Sequence, residues 1–319
     1  MNPETRHLAQ RVSAVVCTRN RPELLDSCLA GFLRLDPPAR ELIVVDQSDG
    51  DESGRVVERY QGRIPGLRHL RTFSRGLSRA RNEGIRVAET DIVAFTDDDC
   101  VVRSDWIGAV AAAFAEEPAL AVLTGGSLPE STDSLDARRA AITTWHSTHR
   151  RHFRRPVNPA EVGGGFNLSV RRLWAERVGL FDPDLGPGAR FRGADDTDFI
   201  HRILRAGGVI RYDPGVVVAH LPWRDGTTQS EVEVEYGHGI AVWALKWLGQ
   251  GDLFPARVAL EVLFGQGRRV VSGIIRRDRE AARTGRAYLV GLARGTAHWI
   301  HDQVCSRDGD RPQSVTPRA

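Results

Sequence analysis

The stretch DIVAFTDDDC, residues 91–100, decides the fold: an apolar run that stops abruptly in three carboxylates. Ile92, Val93, Ala94 and Phe95 read as a buried strand that delivers Asp97, Asp98 and Asp99 to its carboxyl end. Upstream, VSAVVCT at residues 12–18 and ELIVVD at 41–46 are two more short, β-branched runs that end in polar residues. Between them Leu24, Leu25, Cys28, Leu29, Phe32 and Leu33 recur as one buried helical face, opened by Asn20-Arg21-Pro22 and stopped by Pro37-Pro38. Residues 53–60 read as a helix, 67–73 as a short third strand and 77–88 as a further helix. This strand–helix alternation predicts an α/β protein, a Rossmann-like doubly wound, mostly parallel sheet. In such sheets ligands sit beyond the carboxyl ends of the strands. Thr18, Arg19, Asp46, Asp97, Asp98 and Asp99 are therefore expected to share one cleft.

Downstream, residues 106–114 read as a helix, 120–124 as a strand, GGGFNLSVRR as a strand preceded by a close glycine approach, and 195–206 as a helix. The apolar run 216–219 leads to His220. Residues 131–160 are rich in Arg and His with little periodicity, which suggests a mobile or substrate-covering segment. After Trp223 long helical stretches run to about residue 300, and SRDGDRPQSVTPRA reads as a frayed tail.

The chain has 319 residues, 41% hydrophobic and 27% charged, with 44 basic against 41 acidic side chains and a formal net charge of +3. This is a globular composition, and its weak overall field gives no reason to expect a nucleic-acid partner. Lys246 is the only lysine, which excludes a P-loop and favours arginine contacts to phosphate or carboxylate. Four cysteines without a C-x-x-C pair fit a reducing, cytoplasmic setting. The first residues lack the apolar core of a signal peptide, and no run of about 18 apolar residues predicts a membrane span.

Three adjacent carboxylates at the end of a buried strand repel one another unless a cation joins them. Oxygen ligands of this kind suit Mg²⁺ or Mn²⁺ together with a substrate phosphate; a solvated acidic loop is the plainer alternative. At this point a resemblance becomes specific. FTDDDC is similar to the Asp-x-Asp signature of GT-A glycosyltransferases, and residues 12–32 with ELIVVDQSDGDES resemble the opening of family 2. RGLSRARNEG, GGGFNLSVRR and GADDTDF resemble the later blocks of that family, in its order, over residues 11–222.

The resemblance implies a GT-A catalytic domain at 11–222, with a nucleotide-binding half at about 11–100 and an acceptor half at about 101–222. A tail at 1–10, a helical C-terminal extension at 223–304 and a flexible tail at 305–319 complete the chain. It implies an inverting, metal-dependent glycosyltransferase of the soluble, non-processive type, with Mn²⁺ or Mg²⁺ as cofactor and a UDP-sugar as donor. Thr18, Arg19, Asp46, Arg81, Asp97 and Asp98 would contact the nucleotide, and Asp99 with His220 the metal. Gly164, Gly165, Asn167 and Asp195 would line the sugar or acceptor side, and Asp196 would be the catalytic base. The family usually has Glu-Asp where this chain has Asp195-Asp196, so the first acid is one methylene shorter. Plainer readings stand beside these: Asp46 as a turn residue, His220 as a core histidine and the glycines as a bulge. Arg75 and Arg79 would share a helical face if the helix begins early enough.

A sugar-nucleotide nucleotidyltransferase would share the sheet and the metal acids but should open on a Gly-rich, lysine-containing loop. A non-catalytic nucleotide-sugar or glycan-binding protein is the other alternative. A dehydrogenase is excluded because no G-x-G-x-x-G follows the first strand, and a processive synthase because spans and Gln-x-x-Arg-Trp are missing. The acceptor class stays open among a glycan, a lipid-linked sugar and a small molecule. Val270, Val271, Ile274 and Ile275 beside Arg268, Arg269, Arg276, Arg277 and Arg279 form a basic amphipathic stretch. It has three readings: peripheral contact with the inner membrane face, packing on the catalytic domain, or a homodimer contact.

Overall fold

A computed structural model describes residues 3–129, 147–221 and 226–305. The chain divides into two compact units, one of residues 1–190 with 195–225 and one of 191–194 with 226–319.

The first unit is built on a nine-stranded mixed sheet in the order β3-β2-β1-β4-β8-β6-β9-β5, with β7 also pairing β9. β1 (Val12–Thr18), β2 (Glu41–Asp46), β3 (Leu67–Arg71) and β4 (Ile92–Asp97) are parallel. The remaining strands are β5 (Cys100–Val102), β6 (Leu120–Pro129), β7 (Arg151–Phe153), β8 (Asn167–Arg171) and β9 (Val209–His220). β1 pairs with β2 on one side and β4 on the other. The crossovers reverse direction there, which opens a crevice at the carboxyl ends of β1 and β4.

The alternation of β1 explains its placement in the middle of the sheet. Ala14 and Val16 enter one apolar layer with Leu42 and Val44. Val15 enters the opposite layer with Ile43, Val45, Val93 and Phe95. Each fully buried aliphatic side chain contributes about 1.5–3 kcal/mol, so the register cannot slip without inverting both layers. Pro22 stands in the first turn of the helix Pro22–Phe32, where the missing N–H is no loss.

Several elements differ from the sequence reading. β3 ends at Arg71, and the next helix begins only at Leu77, so Arg75 lies outside it and shares no helical face with Arg79. Within the N-terminal tail residues 3–9 form a short helix with Ala9 buried. β9 runs over 12 residues, longer than its apolar run, because Pro214 and Gly215 interrupt the pattern without ending the strand. β5 begins directly after the acidic turn and pairs antiparallel with β9, placing Cys100 opposite His220. Within the segment read as a cover, 130–146 lie outside the described residues, while β7 joins β9 and buries Phe153. The tail 306–319 also lies outside the described residues.

In the second unit the helices Gly226–Leu248, Phe254–Ile275 and Arg279–Cys305 pack together. Gly237 and Gly291 let the first and third approach backbone to backbone; a Cβ on Gly291 would stand 3.0 Å from the Gly237 Cα. Trp243, Trp247 and Val258 form an apolar cluster in this unit. No helix among the described residues is long and apolar enough to cross a membrane.

Candidate active site

The turn after β4 places the three acids at the crevice. Thr18, the last residue of β1, donates to Asp98 Oδ2 at 2.8 Å, and Arg21 donates to Asp98 Oδ1 at 3.2 Å. Arg21 also lies 3.7 Å from Asp99 Oδ2. Burial dominates the Asp98 carboxyl: despite Arg21, desolvation and the neighbouring Asp99 push it up to about 7. Asp97 is also raised, by burial first, with Arg81 opposing and Asp99 reinforcing.

His220, ending β9, places Nε2 3.6 Å from Asp99 Oδ1. Its Nδ1 lies 3.3 Å from the Leu221 carbonyl oxygen. A proton on Nδ1 satisfies that carbonyl and leaves the Nε2 lone pair facing a carboxylate oxygen. A cation between them would join the two acceptors, whereas a proton on Nε2 would let the imidazole donate to Asp99 instead. Cys100 supplies a thiol to the same cluster, and one ligand atom from each of Asp99, Cys100 and His220 lies within 4.8 Å of the others. The Asp99 carboxylate and the His220 imidazole are donors that Mn²⁺ accepts, while Cys100, whose pKa burial raises, stands beside them as a neutral thiol.

A second acid cluster begins the helix Asp195–Arg205. Arg81 joins it to the first cluster, donating to Asp195 Oδ2 at 2.6 Å and to Asp97 Oδ1 at 3.3 Å. It is buried and lies over the Phe181 ring. Gly165 makes room for it: a Cβ there would stand 2.6 Å from the guanidinium. Burial pushes Asp195 up to about 6, against the pull of Arg81. Asp198 is held by Arg202 Nε at 2.8 Å, and Arg202 also donates to the Val178 and Leu180 carbonyls, so this acid locks its own helix. Asp196 differs from both. It is partly exposed, and its two oxygens accept from the backbone N–H groups of Gly165, at 2.8 Å, and Thr197, at 2.7 Å. Gly164 is adjacent, its missing Cβ leaving 3.7 Å to Asp196 Oδ2.

The remaining sequence candidates separate into rim and interior. Arg19 is on the rim, 3.5 Å from Asp49 Oδ2, and Arg75 pairs with the same carboxylate. Arg79 pairs with Asp184 at 3.8 Å. Asp46 is buried, accepting from Ser48 N at 2.9 Å and meeting His69 Nε2 at 3.1 Å, so its carboxylate braces the loop from within. Asn167 is also interior. Its Nδ2 donates to the Gly126 and Val216 carbonyls at 3.0 Å, and Trp106 Nε1 donates to its Oδ1 at 3.0 Å. The β6–β9 register shifts between Gly125 and Gly126, and Asn167 satisfies carbonyls beside that irregularity.

Arg21 and Cys100 were not among the candidates. Arg21 stands before the helix proline, where a capping role hides an ion pair, and Cys100 reads as core until its strand is known to face His220.

The model for Glycosyl transferase family 2 matches residues 13–179. The succinoglycan biosynthesis protein ExoM of Rhizobium meliloti is 29% identical over 268 residues, covering 77% of this chain and 82% of that protein. The hyaluronan synthase of Pasteurella multocida is 22% identical over 264 residues; the match covers 72% of this chain but only 26% of the synthase. Among solved structures, the mannosyltransferase PcManGT from Pyrobaculum calidifontis, in complex with GDP-Man and Mn²⁺, superposes with a TM-score of 0.59 over 94% of this chain and 81% of its own, at 20% identity. At that identity the likeness is one of fold, here the GT-A fold.

Proposed function

The chain belongs to glycosyl transferase family 2 and is a glycosyltransferase, and we propose that it transfers a sugar from a UDP-sugar to an acceptor hydroxyl with inversion at the anomeric carbon. The observation that supports the assignment of the base is the contrast within one helix turn. Asp195 and Asp198 are tied into ion pairs with Arg81 and Arg202, whereas Asp196 is oriented by two backbone N–H groups and keeps access to solvent.

In this reading Asp196 accepts the proton of the acceptor hydroxyl. The new bond forms between that oxygen and the anomeric carbon as the bond from the carbon to the diphosphate oxygen breaks on the opposite face. General-base assistance of this kind contributes about 10²–10⁴ in rate. Asp99 and His220, with Cys100 beside them, would hold the metal, which when bound supplies Lewis-acid neutralisation of the leaving diphosphate. Arg81 fixes the separation of the two acid clusters by gripping one carboxylate from each. Arg19 and Arg75, paired at the rim with Asp49, would exchange that partner for donor phosphates.

The test is nucleotide release from UDP-, GDP- and dTDP-sugars with Mn²⁺, Mg²⁺ or EDTA, water standing in for the acceptor, with the anomeric configuration of the product read by NMR. UDP-sugar cleavage with inversion, lost in Asp196→Asn while the UDP–Mn²⁺ thermal shift survives, is the expected result. Full activity of Asp196→Asn would remove the base assignment. Selective use of GDP-sugars, the nucleotide type present in the PcManGT complex, would replace UDP as the donor.

A further inference from the structure

The helix Phe254–Ile275 carries two apolar faces, and its own unit uses one. Pro255, Val258 and Gly273 are buried. At about 100° per residue, Leu260, Leu263, Phe264, Val271, Ile274 and Ile275 fall in a separate sector of about 120°, and these six side chains are 41–76% exposed. The stripe is about 22 Å long at 1.5 Å per residue. Scattered exposed aliphatics are ordinary on a protein surface, but six aligned on one helix mark a binding face.

The charges around the stripe indicate what it meets. Arg257 and Arg268 border one side, and Arg276, Arg277 and Arg279 follow its end. Residues 253–286 contain eight arginines against Glu261, Asp278 and Glu280. Glu261 is already engaged by Arg257 at 2.9 Å. Arg268, Arg269, Arg276, Arg277 and Arg279 join no ion pair among the described residues. A second copy of the chain would bring the same arginines to the seam with few acids to meet them. An anionic bilayer meets those that border the stripe and follow its end, and accepts the aliphatic stripe between its headgroups; Arg269 falls on the opposite side of the helix. We infer that this helix lies on an anionic membrane surface, its Leu260–Ile275 stripe inserted at the headgroup boundary and its arginines on lipid phosphates. No described helix of this unit is long and apolar enough to span, so the proposed contact is peripheral and salt-sensitive.

The test is flotation of the full chain with vesicles of phosphatidylcholine alone, or of three parts phosphatidylcholine to one of phosphatidylglycerol. Binding to the anionic vesicles, absent on the neutral ones and reduced several-fold between about 0.1 and 0.5 M salt, is the expected result. The double variant Phe264→Asp/Ile275→Asp should lose at least tenfold in bound fraction with its circular dichroism and melting temperature intact. Arg268→Glu/Arg276→Glu, which leaves the apolar stripe whole, should lose binding as well. No binding to anionic vesicles would overturn the inference, as would unchanged binding of both variants. A dimer in light scattering that the Phe264→Asp/Ile275→Asp variant dissolves, without vesicle binding, would assign the face to a second copy instead. The readout needs neither donor nor acceptor, so its failure is separate from failure of the transfer reading.

Discussion

Buried carboxyl groups stand at opposite ends of the central parallel strands, and their environments are opposite. At the amino end Glu41 accepts from Ser13 Oγ at 2.6 Å, Glu89 N at 2.7 Å and Arg68 at 2.6 Å. Burial alone would raise its pKa, but those hydrogen bonds hold it below the ordinary glutamate value. At the carboxyl end Asp98 has donors in Thr18 and Arg21, and burial still pushes it up to about 7. Two carboxyls that solvent barely reaches thus differ: the shallower Glu41 is a completed charge, and the deeper Asp98 an uncompensated one. The first serves the fold; the second stands beyond the strand ends, where doubly wound sheets take their ligands and where the proposed nucleotide site lies.

This contrast breaks most visibly in activity. Asp99→Ala should lower sugar-nucleotide cleavage by about 10³ or more, because the ligand facing His220 is gone, yet leave metal-free stability unchanged or higher. Initial rates with Mn²⁺ and thermal melts in EDTA measure the two halves. Gly165→Ala should reduce activity by about tenfold through displacement of Arg81 from Asp195 and Asp97, with about 1–3 kcal/mol lost to overpacking. Rates and urea midpoints check it.

The amino end should show the converse. Glu41→Gln should cost about 2 kcal/mol in urea unfolding, since the charge that accepts from Ser13, Glu89 N and Arg68 is gone and Arg68 keeps only the Val87 carbonyl and the looser Glu89 pair, while the rate per folded molecule is unchanged. The pH dependence separates the ends further. The Glu41 contribution is present above the ordinary glutamate pKa and is lost as pH falls through its lowered folded value, so Glu41→Gln should flatten the acid limb of the stability profile. Asp98 has the opposite sign. Its folded pKa exceeds the unfolded one, so metal-free protein should lose stability as pH rises from about 4 through 7, and Asp98→Asn should remove its share of that loss, Asp97 and Asp195, also raised, keeping the rest. Arg79→Ala, half-exposed and loosely paired with Asp184, should change either property by less than about 0.5 kcal/mol.

Much of the catalytic unit was legible because its signals are local. Alternating apolar runs ending in Thr18, Asp46 and Asp97 announced parallel strands with polar carboxyl ends, and the strands stand in that register. The roles of single polar residues were less legible. Asn167 looks like a ligand residue in sequence, but its amide is consumed beside the β6–β9 irregularity, which forms between strands some 80 residues apart in the chain. Arg81, which the resemblance put among the nucleotide contacts, also bridges two carboxylates, Asp195 and Asp97. Which side of a helix an arginine serves depends on what faces it, and nothing in its own segment encodes Asp195, 114 positions away.

The sequence alone therefore determined the strand–helix alternation, the order of the motifs, the family and the collection of acids at the strand ends, since each depends on periodicity or on neighbours along the chain. Only the tertiary structure decided which acids are spent on ion pairs and which is left open, that His220 and Cys100 stand with Asp99, and that one amphipathic helix keeps an apolar face uncovered. Those properties are set by the partners that folding brings together and by the water it removes, and both are quantities of the assembled molecule rather than of any segment.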